Sequence, residues 1–313
     1  MQNSTKPRVI TVTGPTASGK SALAVHLAKA FSGEVISSDS MQIYRGMDIG
    51  TAKPDAAEMD GIPHHLIDVR SPSEPFSAAD YKILAEAAID DILARGKTPI
   101  LCGGTGLYLD GVMNISDYAG ELRDDELRAR LSRRDEADLW EELSRLDPES
   151  AEKIHQNNKK RVVRALEICI LSGKSKTAAD REQRKPNDKY DFLSLTLDAR
   201  DREILYRRIE ARVDAMMTAG LPAEVKGLIE EGKLIPGTTA YQAIGYKEMA
   251  AWAAGEITLD EAAAEIKQAT RRYAKRQLTW FRRYPAFHTL YIDDYPDAAA
   301  LFAAAKAYIL SKS

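Results

Sequence analysis

Apolar and polar positions along the chain follow two different periods. RVITVTG, residues 8–14, is a β-branched run ending in glycine, and residues 20–31 carry apolar side chains at helical spacing, which predicts strand, loop, helix. EVISS leads into Asp39, and TPILC leads into Gly103 after a helical stretch whose apolar positions are Leu84, Ala88 and Leu93. Three such strands separated by connecting segments predict a parallel α/β sheet. From about Tyr118 the segments become charged, with apolar residues at helical spacing: Leu127 and Leu131, then Leu139, Leu143 and Leu146. Breaks fall at Asp147-Pro148 and Asn157-Asn158, and a polar stretch runs through Pro186. FLSLTL then returns to the sheet. The remainder reads as mostly helical, with Gly220 and Gly232 as C-terminal stops, a long amphipathic helix through Tyr284 and a late strand HTLYI. The expected organisation is an α/β core with a parallel sheet flanked by helices, residues 1–116 and 191–313, and an inserted helical domain, residues 117–190.

Composition narrows the class. The 313 residues exceed the usual span of one hydrophobic core, which agrees with two units. No apolar run approaches the length that crosses a bilayer, and MQNSTKPRVI lacks the apolar core of a secretory signal, so a cytoplasmic protein with no membrane partner is expected. Cys102 and Cys169 each lie in an apolar stretch without paired spacing, as buried reduced thiols do. His64 and His65 have no partner at metal-ligand spacing and are not proposed as ligands. A net charge of −3 excludes a globally basic coat, so any nucleic-acid site must come from local clusters of Lys and Arg.

Chemistry enters with GPTASGKS: Gly14, Pro15, Thr16, Ala17, Ser18, Gly19, Lys20 and Ser21 match the phosphate-binding loop G-x-x-x-x-G-K-[ST] in full, between a predicted strand and a predicted helix. Such a loop turns backbone N–H groups and a helix N-terminus onto phosphate oxygens, Lys20 adds a full charge, and Ser21 is the candidate ligand of Mg²⁺. A P-loop core is therefore expected. The motif says diphosphate, not which reaction. Strand ends face the ligand crevice of an open α/β sheet, which brings Asp39 and Thr105 of GGTGLY near the cradle. The alternatives are a turn residue for Asp39 and a tight turn for the glycines. No aspartate ends TPILC in the manner of a Walker B strand, which weakens an ordinary ATPase or kinase.

GPTASGKS, SSDSMQIYRGMDIGTAKP, HHLID, GGTGLYLDG, RVVRALEI, RVDAMMTAGLPAEV, QAIGYKE and AKRQLTWFRR occur in the order typical of tRNA dimethylallyltransferases, and the chain resembles that family nearly from its first strand to its last. The resemblance implies dimethylallyl diphosphate as donor, Mg²⁺ as cofactor, and N6 of the adenine 3′ of the anticodon as acceptor. It assigns Asp39 as the base, Thr105 as a contact to the reacting diphosphate oxygen, and Arg212 as a clamp on the same phosphates. By pattern alone Arg212 reads equally well as a solvated helix charge beside Val213. With no cysteine after Cys169, the eukaryotic relatives' C-terminal zinc finger has no counterpart, and a bacterial-type enzyme is implied, acting as a monomer.

The same resemblance assigns tRNA contact, on the anticodon stem-loop, to four segments. They are Asp39, Ser40, Met41 and Gln42; Lys160, Arg161, Val162, Val163 and Arg164; Gln242, Ala243, Ile244, Gly245, Tyr246 and Lys247; and Lys275, Arg276, Gln277, Leu278, Thr279, Trp280, Phe281 and Arg282. Some relatives carry glutamine where this chain has Lys160. The last segment also stands on its own residues. Arg271, Arg272, Lys275, Arg276, Arg282 and Arg283 are dense on one predicted helix, while Ile266, Tyr273, Gln277, Trp280 and Tyr284 form another stripe. The alternative is aromatics in the core and solvated arginines; the polar Gln277 within the stripe favours function. Rival functions are an adenylate isopentenyltransferase, a P-loop small-molecule kinase, and a non-catalytic RNA-binding module.

Overall fold

The structure, a computed structural model, describes residues 6–114, 124–183 and 187–312, the side chains of 180–183 excepted. Six strands, β1 (Arg8–Thr13), β2 (Gly33–Ser37), β3 (His64–His65), β4 (Thr98–Gly103), β5 (Asp191–Asp198) and β6 (His288–Tyr291), form one parallel sheet in the order β3-β2-β4-β1-β5-β6. β1 lies between β4 and β5, with Ile10 opposite both Ile100 and Leu193. Helices cover the sheet, and so its central strands are near-continuous apolar runs. Ile10, Val12, Ile100, Leu195 and Leu197 pack in one cluster with Leu23 and Leu27 of the Lys20–Ala30 helix and Leu278 of the Leu259–Phe281 helix. Because all strands run the same way, the ends of β1, β2 and β4 deliver Gly14, Ser38 and Gly104 to one edge of the sheet.

Three features differ from the pattern-based expectation. β3 was not foreseen; it is two residues long, too short to show alternation, and pairs Val35 with His64. The Ala78–Ala94 helix, started by a Ser77/Asp80 capping box, buries Tyr81, Ala85, Ile89 and Ile92, while Leu84, Ala88 and Leu93 are half-buried, so its inner face is turned by about one position. An apolar helix, Ala298–Leu310, closes the chain.

Residues 110–188 form a compact unit of their own, the rest of the chain the other. The division falls seven residues before the expected start at 117 and two before the expected end at 190; the 116/117 boundary and Pro186 lie outside the described residues. In the smaller unit Leu127, Leu131, Leu139, Leu143, Val162, Val163 and Leu166 make one cluster, each large side chain contributing about 1.5–3 kcal/mol of burial. Asp147 ends the Glu136–Leu146 helix and caps Pro148–Lys153, accepting from Ser150 N at 3.2 Å, and Asn158 caps Lys159–Ser172. The helix ending at Leu146 leaves that residue 41% exposed.

Candidate active site

Between β1 and its following helix, Gly14 to Ser21 form the loop, with Gly19 left-handed at φ 91° as the helix N-cap. The Ser18 hydroxyl is buried with no protein partner, a donor suited to a phosphate oxygen. Ser21 is exposed in the first helical turn. Lys20 Nζ lies 3.4 Å from Pro15 O; burial pushes its ammonium below the usual lysine range and the charge of Arg212 adds to this, against the pull of Asp39. Arg212 is likewise pushed down by burial, opposed by Asp39 and Glu58. Two half-buried cations near each other, with little carboxylate to balance them, are poised for an anion.

Not every loop amide faces that anion. Thr16 N donates to Gln277 Oε1 at 2.9 Å, and Gln277 Nε2 donates to Gly104 O at 3.0 Å. Gln277 is only 4% exposed, which corrects the expectation that it reads RNA: its amide joins the phosphate loop to the GGTG turn. Two glycines of that turn are closely packed. A Cβ on Gly104 would meet Gln277 Nε2 at 2.0 Å, and one on Gly106 would meet the Trp280 ring at 2.1 Å. Thr105 sits between them, its hydroxyl accepting from Ser40 N at 3.0 Å and donating to Ser40 Oγ at 3.3 Å.

Asp39 combines both roles weighed for it. Its Oδ1 accepts from Met41 N at 2.9 Å, an Asx turn, and the residue also lines a cavity of about 250 Å³. Its lining combines the polar Thr16, Asp39, Ser40 and Arg212 with the apolar Ile209, Val213, Met216, Ile244 and Ile266. Gly50, Thr51, Gln242, Ala243, Gly245, Thr270, Tyr273 and Arg276 complete it with Met41. Lys20, Ser18, Ser21 and Thr105 are not in its wall. Sequence reasoning missed the apolar wall, because Ile209, Val213 and Met216 at helical spacing look the same whether they face a core or a substrate. Tyr273 is pushed up by burial and by the charge of Asp39. A larger cavity of about 460 Å³ at the ends of β5 and β6 holds Arg200 paired with Asp294, and Arg282 3.7 Å from Asp198. Its carboxylates make it a poorer place for an anion.

The residues expected to touch RNA divide by exposure. Lys160, Arg161, Gln242, Lys247, Lys275, Arg276, Thr279 and Arg282 are exposed. Val162, Val163, Ala243, Tyr246, Leu278 and Phe281 are buried in packing, so their side chains are no surface contacts. Gln42 accepts from Ser37 Oγ at 2.9 Å and donates to Ala52 O at 3.2 Å, and Arg164 lies 2.7 Å from the buried Glu167, so both have internal duties. Ile244 and Trp280 are half-buried.

A parallel sheet whose central strand runs into the loop of residues 14–21, two half-buried cations and a cavity with a carboxylate in its lining fit the framework of a group-transfer enzyme. The sequence model of the IPP transferase family matches residues 42–284, and the chain belongs to that family. It is 48% identical over 307 residues to tRNA dimethylallyltransferase 1 of Trichlorobacter lovleyi, covering 96% of this chain and 98% of the relative. A tRNA isopentenylpyrophosphate transferase structure from Staphylococcus epidermidis superposes with a TM-score of 0.72 at 42% identity, over 98% of this chain and 100% of the other. A eukaryotic dimethylallyltransferase acting on tRNA superposes with a TM-score of 0.81 at 34% identity, over 91% and 74%.

Proposed function

We propose that this protein transfers a dimethylallyl group from dimethylallyl diphosphate to N6 of the adenine 3′ of the anticodon in tRNA, releasing diphosphate. The observation that carries the reading is the cavity of about 250 Å³, whose lining brings Arg212, Thr16 of the phosphate loop and Asp39 together with apolar side chains suited to an allyl group. Its relatives are named as tRNA dimethylallyltransferases. As the allylic carbon–oxygen bond breaks, Lys20, Arg212, the Ser18 hydroxyl and the loop amides other than that of Thr16 take up the charge appearing on diphosphate. The adenine amine is a weak nucleophile, its lone pair delocalised into the ring. As the carbon–nitrogen bond forms, Asp39 takes the proton that leaves N6, which balances the exchange. Thr105, fixed by Ser40, is the hydroxyl that meets the diphosphate oxygen.

Mg²⁺ fits as an ion that arrives with the diphosphate. Among the described residues no three His, Cys, Asp or Glu side chains converge, whereas the exposed Ser21 hydroxyl supplies one hard oxygen beside the cradle, the protein share such an ion commonly takes. When bound it neutralises charge on the leaving group. For the RNA, exposed Arg276, Lys275 and Arg282 on the long helix, and Lys160 and Arg161 on the insertion, are the phosphate contacts. The same reading has the enzyme act as a monomer in the cytoplasm; among the described residues no helix is long and apolar enough to cross a membrane. Radiolabelled dimethylallyl diphosphate, offered tRNA and AMP in parallel, tests the reading: label in tRNA supports it, label in AMP moves the adenylate enzyme ahead, and label in neither overturns both.

A further inference from the structure

The geometry points to Glu224 as a positioning residue that ties together, from outside the cavity, two adjoining stretches of its wall, Gly50-Thr51 and Gln242 to Gly245, the second of them on the side proposed to meet RNA. This inference rests on the transfer reading above. Glu224 lies in the first turn of the Leu221–Glu230 helix, is half-buried, and does not line the cavity. Its carboxylate nevertheless accepts four hydrogen bonds. Oε2 takes the backbone N–H of Asp48 at 3.0 Å and of Ile49 at 2.7 Å; Oε1 takes that of Gly50 at 3.2 Å and the Tyr246 hydroxyl at 2.6 Å.

Three successive amides turned onto one anion form a concavity, and a carboxylate with this many donors is a strong tie. The tie has two ends. On one, Gly50 and Thr51 are cavity wall; on the other, Tyr246 follows directly after Gln242 to Gly245, an adjoining stretch of wall, a Cβ on Gly245 lying 4.0 Å from the Gly50 Cα. Tyr246 is fully buried, and the Gly50 backbone rests on its ring so closely that a Cβ there would meet the ring at 2.5 Å. Both walls are therefore referenced to one carboxylate on a third element that touches neither the P-loop nor Gln277 in the hydrogen-bond pattern. Losing it loosens the acceptor side while leaving the diphosphate cradle in place.

Glu224→Gln keeps the shape, removes the charge and turns an amide N–H₂ towards donors; Tyr246→Phe cuts only one of the two ends. Both variants and the wild type are compared for transfer into an anticodon stem-loop, diphosphate affinity, thermal melting and amide hydrogen exchange. The expected result for Glu224→Gln is a KM for the stem-loop raised about tenfold or more with a lower kcat, faster exchange at residues 48–50, and diphosphate affinity within about twofold of wild type. Tyr246→Phe shows a smaller rise in KM without the exchange change at residues 48 and 49. Two outcomes overturn the inference: unchanged KM and exchange in Glu224→Gln, or a fall in melting temperature with diphosphate affinity lost in step, which would make Glu224 merely structural. A wild type that transfers nothing sinks the transfer reading and this inference with it, whereas an active wild type matched by Glu224→Gln sinks the inference alone.

Discussion

Gln277 Oε1 accepts the backbone N–H of Thr16 at 2.9 Å, linking a helix near the end of the chain to the phosphate loop near its start. Its Nε2 reaches Gly104 O at 3.0 Å, so one neutral amide sets the spacing between the cradle and the turn that carries Thr105. Gln277→Ala leaves a buried N–H and a buried carbonyl unpaired, about 1–3 kcal/mol for each group that water cannot reach. The variant is expected to melt lower and to bind diphosphate about tenfold or more weakly. Its affinity for the stem-loop and the salt dependence of that affinity stay near wild type. Calorimetric titration of both ligands separates these effects, and an RNA defect alone would restore the RNA-reading role.

Lys20 is held out of water without a full carboxylate partner, and burial lowers its pKa. Removing such a charge relieves the free protein while depriving the ligand. Lys20→Ala should therefore keep or slightly raise the melting temperature of the free protein, abolish the upward shift that diphosphate produces, and lose nearly all turnover. A diphosphate-induced shift equal to wild type would remove Lys20 from the cradle.

Asp39→Asn preserves the turn, since the asparagine Oδ1 can still accept the Met41 N–H, but it has no carboxylate to take a proton. The expected effect is a fall in kcat of about 10²–10⁴ with much less change in stem-loop affinity. Single-turnover rates at wild-type level would exclude the base role.

How much of this was legible follows from what each signal depends on. The place of the loop of residues 14–21 between a strand and a helix was readable because the motif is a local pattern of eight consecutive residues, and the position of Asp39 and Thr105 at the same edge because a parallel sheet brings strand ends together. The breaks read at Asp147-Pro148 and Asn157-Asn158 fall where Asp147 and Asn158 cap helices, residue types whose short polar side chains favour such ends. The duty of Gln277 was illegible, because a polar residue within an apolar stripe fits an internal brace as well as a base reader, and its partners lie 261 and 173 positions away. Glu224 was hidden for the same reason: three of its four donors are loop amides that any sequence supplies, and the fourth, the Tyr246 hydroxyl, lies 22 positions away. The apolar wall at Ile209, Val213 and Met216 repeats the spacing of a core face, and only the fold tells the two apart.

Acid should weaken both units in the same window. Arg95 foremost, then Lys97 and His65 against the effect of burial, hold the Glu34 carboxyl below its ordinary value of 4.5. In the insertion burial pushes Asp147 and Glu167 up, but donors from Ser150 and Thr177 to Asp147, and from Arg164, Arg128 and the Asp124 N–H to Glu167, outweigh it. A carboxyl whose folded pKa is depressed contributes stability that is complete above the unfolded value and is lost as pH falls through the folded one. Melting temperature should thus hold down to about pH 5 and decline below about 4.5. Glu167→Gln should cost about 1–3 kcal/mol at neutral pH and lessen the acid decline; an unchanged decline would mean that carboxyl does not titrate in this range.

Salt dependence tests the proposed RNA face of the Leu259–Phe281 helix and the residues just after it. Arg276 is exposed, borders the cavity beside Asp39, and has its guanidinium 5.5 Å from the Tyr273 ring centre, with no carboxylate paired to it among the described residues. Arg282 is 62% exposed and 3.7 Å from Asp198 Oδ2, an ion pair too open to hold its charge from a phosphate. Each phosphate neutralised releases counterions, so the logarithm of affinity falls against the logarithm of salt by about 0.7–0.9 per contact. Arg276→Ala and Arg282→Ala should each weaken stem-loop binding and flatten that slope by about one such step. Neither variant should alter diphosphate affinity by more than about twofold, since Lys20 and Arg212 carry that anion. Titrating the stem-loop at several salt concentrations, with Lys160→Ala as a probe of the insertion, decides where the RNA lies. Slopes equal to wild type in all three variants would leave these exposed cations as solvated surface and take the polyanion elsewhere.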